Sequence, residues 1–251
     1  MITFYFIIES YGNIRPPSPY LNETDEIKLH KRSIILKKII LNEFNYIQIL
    51  QEFVCHVITP FNLKDTPFKK TITSDPSVAV SFNILYEILK ISNNFHNSIK
   101  NSNSNNQQIA ETFKYLSPSL QLYAQYASEN AKVLNIIKSN SRQLNSIVPE
   151  HYNLEYVLIQ PLEHYLSYSI LFQEYVWLCP SYTSTMDSNT LDMSLGHIIS
   201  QTTIIDNRII EEQSNWKLLN LQSQCKASSS SSSSSLSSSS LSSSHMCIVV
   251  L

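Results

Sequence analysis

Two glycines in 251 residues, Gly12 and Gly196, leave this chain almost no backbone positions where a positive φ is free of steric cost. Glycine-rich phosphate loops, dinucleotide fingerprints and tight-turned β-sandwiches all need such positions, so they are disfavoured. Long stretches of three-to-four-residue apolar periodicity point instead to a mostly helical protein. The length suits one domain of about 200 residues with a proper core. The net charge of -2 supplies no basic footprint for nucleic acid.

Six helical segments follow from the periodicity and the prolines. Residues 1–26, with Pro16, Pro17 and Pro19, read as an extended lead-in. Residues 27–59 form the first helix, with Ile35, Ile39, Tyr46, Leu50, Phe53 and Val57 on one stripe. Pro60 ends it. A second helix spans 77–100 on Phe82, Leu85, Leu89 and Phe95. The tract Asn101–Asn106 breaks it, because short polar side chains compete for the backbone. A short helix over 107–115 follows. Pro118 then opens a longer one through Tyr123, Tyr126, Ala127, Ala131, Leu134 and Ile137. Residues 139–150 are a polar connection. A long apolar helix covers 153–178, with Pro161 expected to kink it and Pro180 closing it. Residues 181–189 are a loop, and a last helix covers 190–221 with Ile198, Thr202, Ile205 and Ile209 inward. The domain is therefore placed at 27–221. Residues 222–251, mostly serine, read as a disordered tail that buries too little apolar area to offset its ordering entropy.

Cysteines 55, 179, 225 and 247 are widely spaced, with no CxxC pair, so neither a metal nor another cofactor is expected and a reducing, cytoplasmic setting fits. The apolar opening, residues 1–8, lacks a basic flank and is too short to cross a bilayer, so no membrane insertion is expected. Cys247 is fifth from the end, which rejects a prenylation box. There is no nucleophile motif, no clustered ligand set and no phosphate loop, so covalent catalysis is not expected.

Three segments carry a more specific pattern. The first is Asn42-Glu43-Phe-Asn-Tyr46-Ile47 with Leu50, followed by Pro60-Phe61. The second is Phe82-Asn83-Ile84 with Ile88, then Phe95, Ile99, Ile109-Ala110, Phe113, Tyr123, Tyr126 and Asn130-Ala131. The third runs from Tyr156 through Pro161, His164, Ser167 and Tyr168 to Ile170-Leu171-Phe172. In this order, over roughly residues 28–215, they resemble Dbl-homology domains, the guanine-nucleotide exchange domains for Rho-type GTPases. The hydrophobic and aromatic frame is kept. Asn42 stands for a threonine, Ala110 for a glycine, and the basic positions of the third segment are lost at His164 and Ser167.

The resemblance implies an elongated, all-α six-helix bundle that binds both switch regions of a Rho-family small GTPase and promotes GDP release. It implies a cytoskeletal signalling role and no covalent chemistry. The family's contact face, built by its first, fifth and sixth helices, falls here on Glu43, His164, Ser167 and Asn207. Taken alone, Glu43 is an exposed helix-face charge, His164 a surface histidine and Asn207 a solvated polar group; Tyr46 and Leu50 read as core. Loss of the basic positions keeps a second possibility open, a degenerate domain that binds a GTPase or acts as a scaffold without exchange. A helical scaffold unrelated to GTPases is the third. No strands of the pleckstrin-homology domain that often follows this family are recognisable after Leu221.

Overall fold

The computed structural model describes residues 18–59, 75–144 and 153–233. The helices are α1 (Asp25–Phe53), continued by a π turn (Val54–Ile58), α2 (Pro76–Asn101), α3 (Asn106–Ser119), α4 (Gln121–Ser139), the single turn α5 (Ser141–Leu144), α6 (Leu154–Trp177) and α7 (Thr185–Ser233). Among the described residues there is no strand, so the fold is an all-α bundle of the expected type. The chain divides after Ile209 into two units. The first holds the bundle. The described part of the second is the remainder of α7.

Side chains at the helix starts satisfy the amide groups that have no partner inside the helix. Thr24 accepts from Ile27 at 3.4 Å, and Asp25 and Glu26 follow it, favourably placed at the positive end of the α1 dipole. Asp75 accepts from Ser77 at 2.8 Å, with Pro76 in the first turn of α2. Asn105 caps α3 through Gln108 at 3.0 Å, and Asn153 caps α6 through Tyr156 at 3.0 Å. The expected inward rows of α1 and α2 are all buried. On α4, Tyr123, Tyr126, Ala127 and Ile137 are buried as expected, while Ala131 and Leu134 are half-buried and Val133 takes the inward place.

The core is knit by aromatic contacts between helices. Phe53 meets Phe82 edge-on, joining α1 to α2. Phe113 of α3 stacks on Phe172 of α6 with centroids 3.7 Å apart, and Phe95 of α2 meets both Phe113 and Tyr168 edge-on. Offset and edge-on pairs add to the burial of each ring. The Tyr126 hydroxyl donates to the Leu158 carbonyl at 2.7 Å, fastening α4 to α6. Arg32 of α1 lies buried with its guanidinium 4.0 Å over the Tyr175 ring of α6.

Several boundaries differ from the sequence reading. Of the lead-in, residues 1–17 lie outside the described residues, and residues 19–22 form turns. Its Ser18 hydroxyl donates to the Trp177 carbonyl and its Tyr20 hydroxyl to Glu174, at 3.0 and 3.2 Å. Pro118 closes α3 instead of opening α4, because burial of Leu116, Ser117 and Leu120 holds the chain helical across it and moves the break to Leu120. The polar connection contains α5. The loop after α6 is shorter than 181–189, since Ser184 accepts from the Asp187 amide at 3.1 Å and starts α7 early. The same helix runs twelve residues past 221 to Ser233, as propagation of an existing helix demands far less than nucleation. Pro60, Phe61 and residues 234–251 lie outside the described residues.

Phe172→Ala is expected to cost about 3–5 kcal/mol by removing the partner of Phe113 and opening a cavity, measured by chemical denaturation. A loss under about 1 kcal/mol would show that this stack is not central. Burial raises the pKa of Tyr126 and Tyr168 well above the usual 10.0. Folded tyrosines therefore keep protons that unfolded ones release, so stability is intact below about pH 10 and falls as pH rises beyond it. Following helical circular dichroism and tyrosinate absorbance together through that range should show ionisation and unfolding coinciding.

Candidate GTPase-docking face on helices α1, α6 and α7

The polar centre of the bundle forms where α1 and α6 run antiparallel. Glu43 is 1% exposed. Its Oε2 lies 2.9 Å from His164 Nε2, and its Oε1 accepts from the Tyr168 hydroxyl at 3.0 Å. The spacing of His164 and Tyr168, one turn apart, is what lets both reach a single carboxylate. His164 is itself buried, with its ring stacked on Tyr46 at 3.7 Å between centroids and edge-on to Tyr168. Tyr123 extends the cluster into α4, its hydroxyl 3.4 Å from that of Tyr168. Desolvation first, then the nearby Glu43 charge, pushes the Tyr168 hydroxyl well above its ordinary pKa, so it remains a donor throughout the working range.

Glu43 and His164 thus meet directly, as a common site requires, but inside the bundle. The reading of Glu43 as an exposed charge and of His164 as a surface histidine is corrected: a carboxylate and an imidazole that satisfy one another can be buried where either alone would be penalised. Tyr46 and Leu50 are core, as expected.

Around this centre the helix faces turn outward. Ser167 is half-buried and accepts from the Asn42 side chain at 2.9 Å, a second polar link between α6 and α1 beside the first. On α6, Tyr156, Ile159, Glu163 and Ile170 lie on one exposed side. Glu163 accepts from Gln160 at 2.9 Å. Asn207 of α7 is exposed. Its neighbour Asp206 faces α6 and accepts a hydrogen bond from the Tyr165 hydroxyl. Burial raises the Asp206 carboxyl above its ordinary pKa, and the Tyr165 bond opposes the shift. Glu43, His164 and Ser167 therefore share one junction, and Asn207 stands on the next helix along. Tyr168 and Asn42 act in that junction too; the spacing from His164 carried a signal for Tyr168, while nothing in the sequence paired Asn42 with Ser167.

Among the described residues no three His, Cys, Asp or Glu side chains gather to hold a metal ion, and no helix is long and apolar enough to cross a membrane. The α6 sequence contains three glutamates and neither lysine nor arginine.

Comparison with known proteins identifies the domain family and the fold. The family model described as the RhoGEF domain matches residues 35–206, from the middle of α1 to the Asp206 contact on α7. No curated protein sequence matches the chain. Among solved structures, autoinhibited Vav1 superposes with a TM-score of 0.64 at 16% identity, covering 78% of this chain and 36% of that one. The linker-DH/PH domains of p115-RhoGEF give 0.61 at 11% identity, covering 77% and 60%. The DH/PH domains of PDZ-RhoGEF, solved in complex with GTP-gamma-S activated RhoA, give 0.61 at 16%, covering 77% and 57%. This chain spans less than two thirds of each of those chains, and at such identities the likeness is one of fold.

Glu43→Ala is expected to lower stability by about 3 kcal/mol, since it leaves the His164 ring and the Tyr168 hydroxyl buried without their shared acceptor. Glu43→Gln, which keeps one acceptor oxygen, should cost clearly less. Equal denaturation midpoints for the two variants would contradict the cage.

Proposed function

We propose, because this chain belongs to the RhoGEF domain family, that it is a guanine-nucleotide exchange domain for a Rho-type small GTPase. The observation that carries the reading is the extent of the family match. It covers the junction of α1 with α6 and the adjoining turn of α7, the three helices on which the family's contact face falls.

The mechanism is differential binding applied to a conformational step. A docking face that holds the nucleotide-free GTPase better than the loaded one lowers the barrier to release without making or breaking a covalent bond. In this chain the Glu43–His164–Tyr168 cage is the rigid base of that face and not its contact surface. It fixes the rotation of α1 and α6, so that Asn42, Ser167 and the α6 row of Ile159, Glu163 and Ile170 present one preset side. A preset face spends less binding free energy on ordering itself, leaving more for distortion of the GTPase. Glu43 and His164 then act as positioning residues, while Ser167 and Asn207 are placed for contact. The PDZ-RhoGEF relative was solved with RhoA, which makes RhoA a reasonable first probe.

A second reading, binding without release, is favoured by the absence of lysine and arginine from α6. Losing a charged contact to a switch region costs roughly 1–3 kcal/mol, tenfold or more in affinity.

Two substitutions separate these readings in a fluorescent-nucleotide release assay over a panel of Rho-type GTPases. Ile170→Asp, at an exposed position, should leave folding stability within about 0.5 kcal/mol and slow release at least about tenfold. An unchanged rate on every GTPase that responds to the parent would remove α6 from the contact face. Ser167→Lys should raise the rate about tenfold if only the missing charge limits exchange. GTPase binding with no release in the parent and in Ser167→Lys alike would establish the binding-only reading. His164→Arg is not a useful restoration, because that position is inside the bundle.

A further inference from the structure

Along the outward side of α1, Ile27, Ile34 and Leu41 recur at intervals of seven residues and are 46%, 49% and 59% exposed. At 1.5 Å per residue they form a straight apolar row about 21 Å long. Positions three and four beyond the first two members carry His30, Lys31, Lys37 and Lys38, so lysines border the row on both edges, Lys37 on one and Lys31 and Lys38 on the other. Lys31 is held by Glu23. Lys37 and Lys38 are exposed and have no carboxylate within ion-pair distance among the described residues. Between Ile27 and Gln51 the one carboxylate is Glu43, and it is buried in the cage. The outer face of α1 is therefore apolar and cationic with no exposed acid over that length.

We propose that this face rests on an anionic membrane surface, with Ile27, Ile34 and Leu41 in the interfacial layer and Lys37 and Lys38 against acidic headgroups. A lysine bordering an apolar row on a bilayer extends its charge upward into the headgroups while its methylenes cover apolar surface. Juxtaposed lysines are attracted by the negative surface potential of acidic lipid. The main alternative occupant, a partner helix in a heptad seam, fits less well. Its companion seam positions are His30, Lys37 and Phe44, so a seam would bury one apolar ring together with an imidazole and an ammonium group. No helix of the described residues is apolar enough to span a membrane, so the contact is peripheral. This inference stands apart from the exchange reading and needs no GTPase.

The test uses the full 251-residue chain in co-sedimentation with vesicles of phosphatidylcholine alone and of phosphatidylcholine containing phosphatidylserine. The expected result is pelleting with the acidic vesicles only. It should weaken severalfold as salt is raised from about 0.1 to 0.5 M. The pair Lys37→Glu and Lys38→Glu should abolish it, and Ile34→Ser with Leu41→Ser should reduce it at unchanged helical circular dichroism. All four positions are exposed, which protects the fold. Pelleting of the charge-reversed variant at the parental level would overturn the proposal, as would equal binding to neutral vesicles. So would absence of vesicle binding in a chain that self-associates through the row, lost in Ile34→Ser with Leu41→Ser; that outcome would assign the face to a second copy.

Discussion

A carboxylate taken out of water has to be answered by hydrogen bonds, and in this bundle the answer comes from one helix. Glu43 of α1 is met by His164 and Tyr168 of α6, and nothing on α1 itself satisfies it. The bond geometry fixes how far α6 slides along α1 and how it is rotated. The same antiparallel register recurs above the cage, where Arg32 lies over Tyr175, and at the end of the pair, where Asp25 accepts from the Ser181 amide at 2.9 Å. Apolar packing alone tolerates neighbouring registers, because one ridge of isoleucine and leucine resembles the next. A buried polar contact does not, since a slip of one turn would strand it.

That register decides which side chains the pair turns outward. With Glu43 and His164 inside, the surface beside the α1–α6 seam is left to Asn42, Ser167, Glu163 and the isoleucines of α6. The family's frame survives in this chain because it is held by the core: Tyr46, Leu50, Pro161, Tyr168 and Phe172 are all buried. Of the positions that changed, Asn42 and Ser167 stand at the edge, where substitution costs the fold little and alters what the face can bind, whereas Ala110 and His164 are buried.

Helix existence was legible from periodicity because apolar rows at three and four must be buried together, and the rows on α1 and α2 were buried as read. Helix ends were less legible. Pro118 looked like a start, yet tertiary burial on both sides of it outweighed its local preference. The loop before α7 was shortened by a serine cap that local sequence permits but does not require. The site was half visible. The pairing of Glu43 with His164 on one junction could be inferred from their matching family segments. Their burial could not, because the partner that makes burial of a charge acceptable lies 121 residues away.

The corner between α2 and α3 shows what a near-absence of glycine does to a chain. Asn103 and Ser104 both adopt the left-handed conformation, at φ of 49° and 62°, where glycine would ordinarily sit. The Asn105 amide donates to the Ser102 carbonyl at 2.8 Å and closes the corner. Two side chains held there add strain to the folded state. The same side chains narrow the range of conformations open to the corner before folding, so less freedom is surrendered when it forms. The corner thus joins the two rods through residues whose side chains leave it fewer alternative conformations than glycine would.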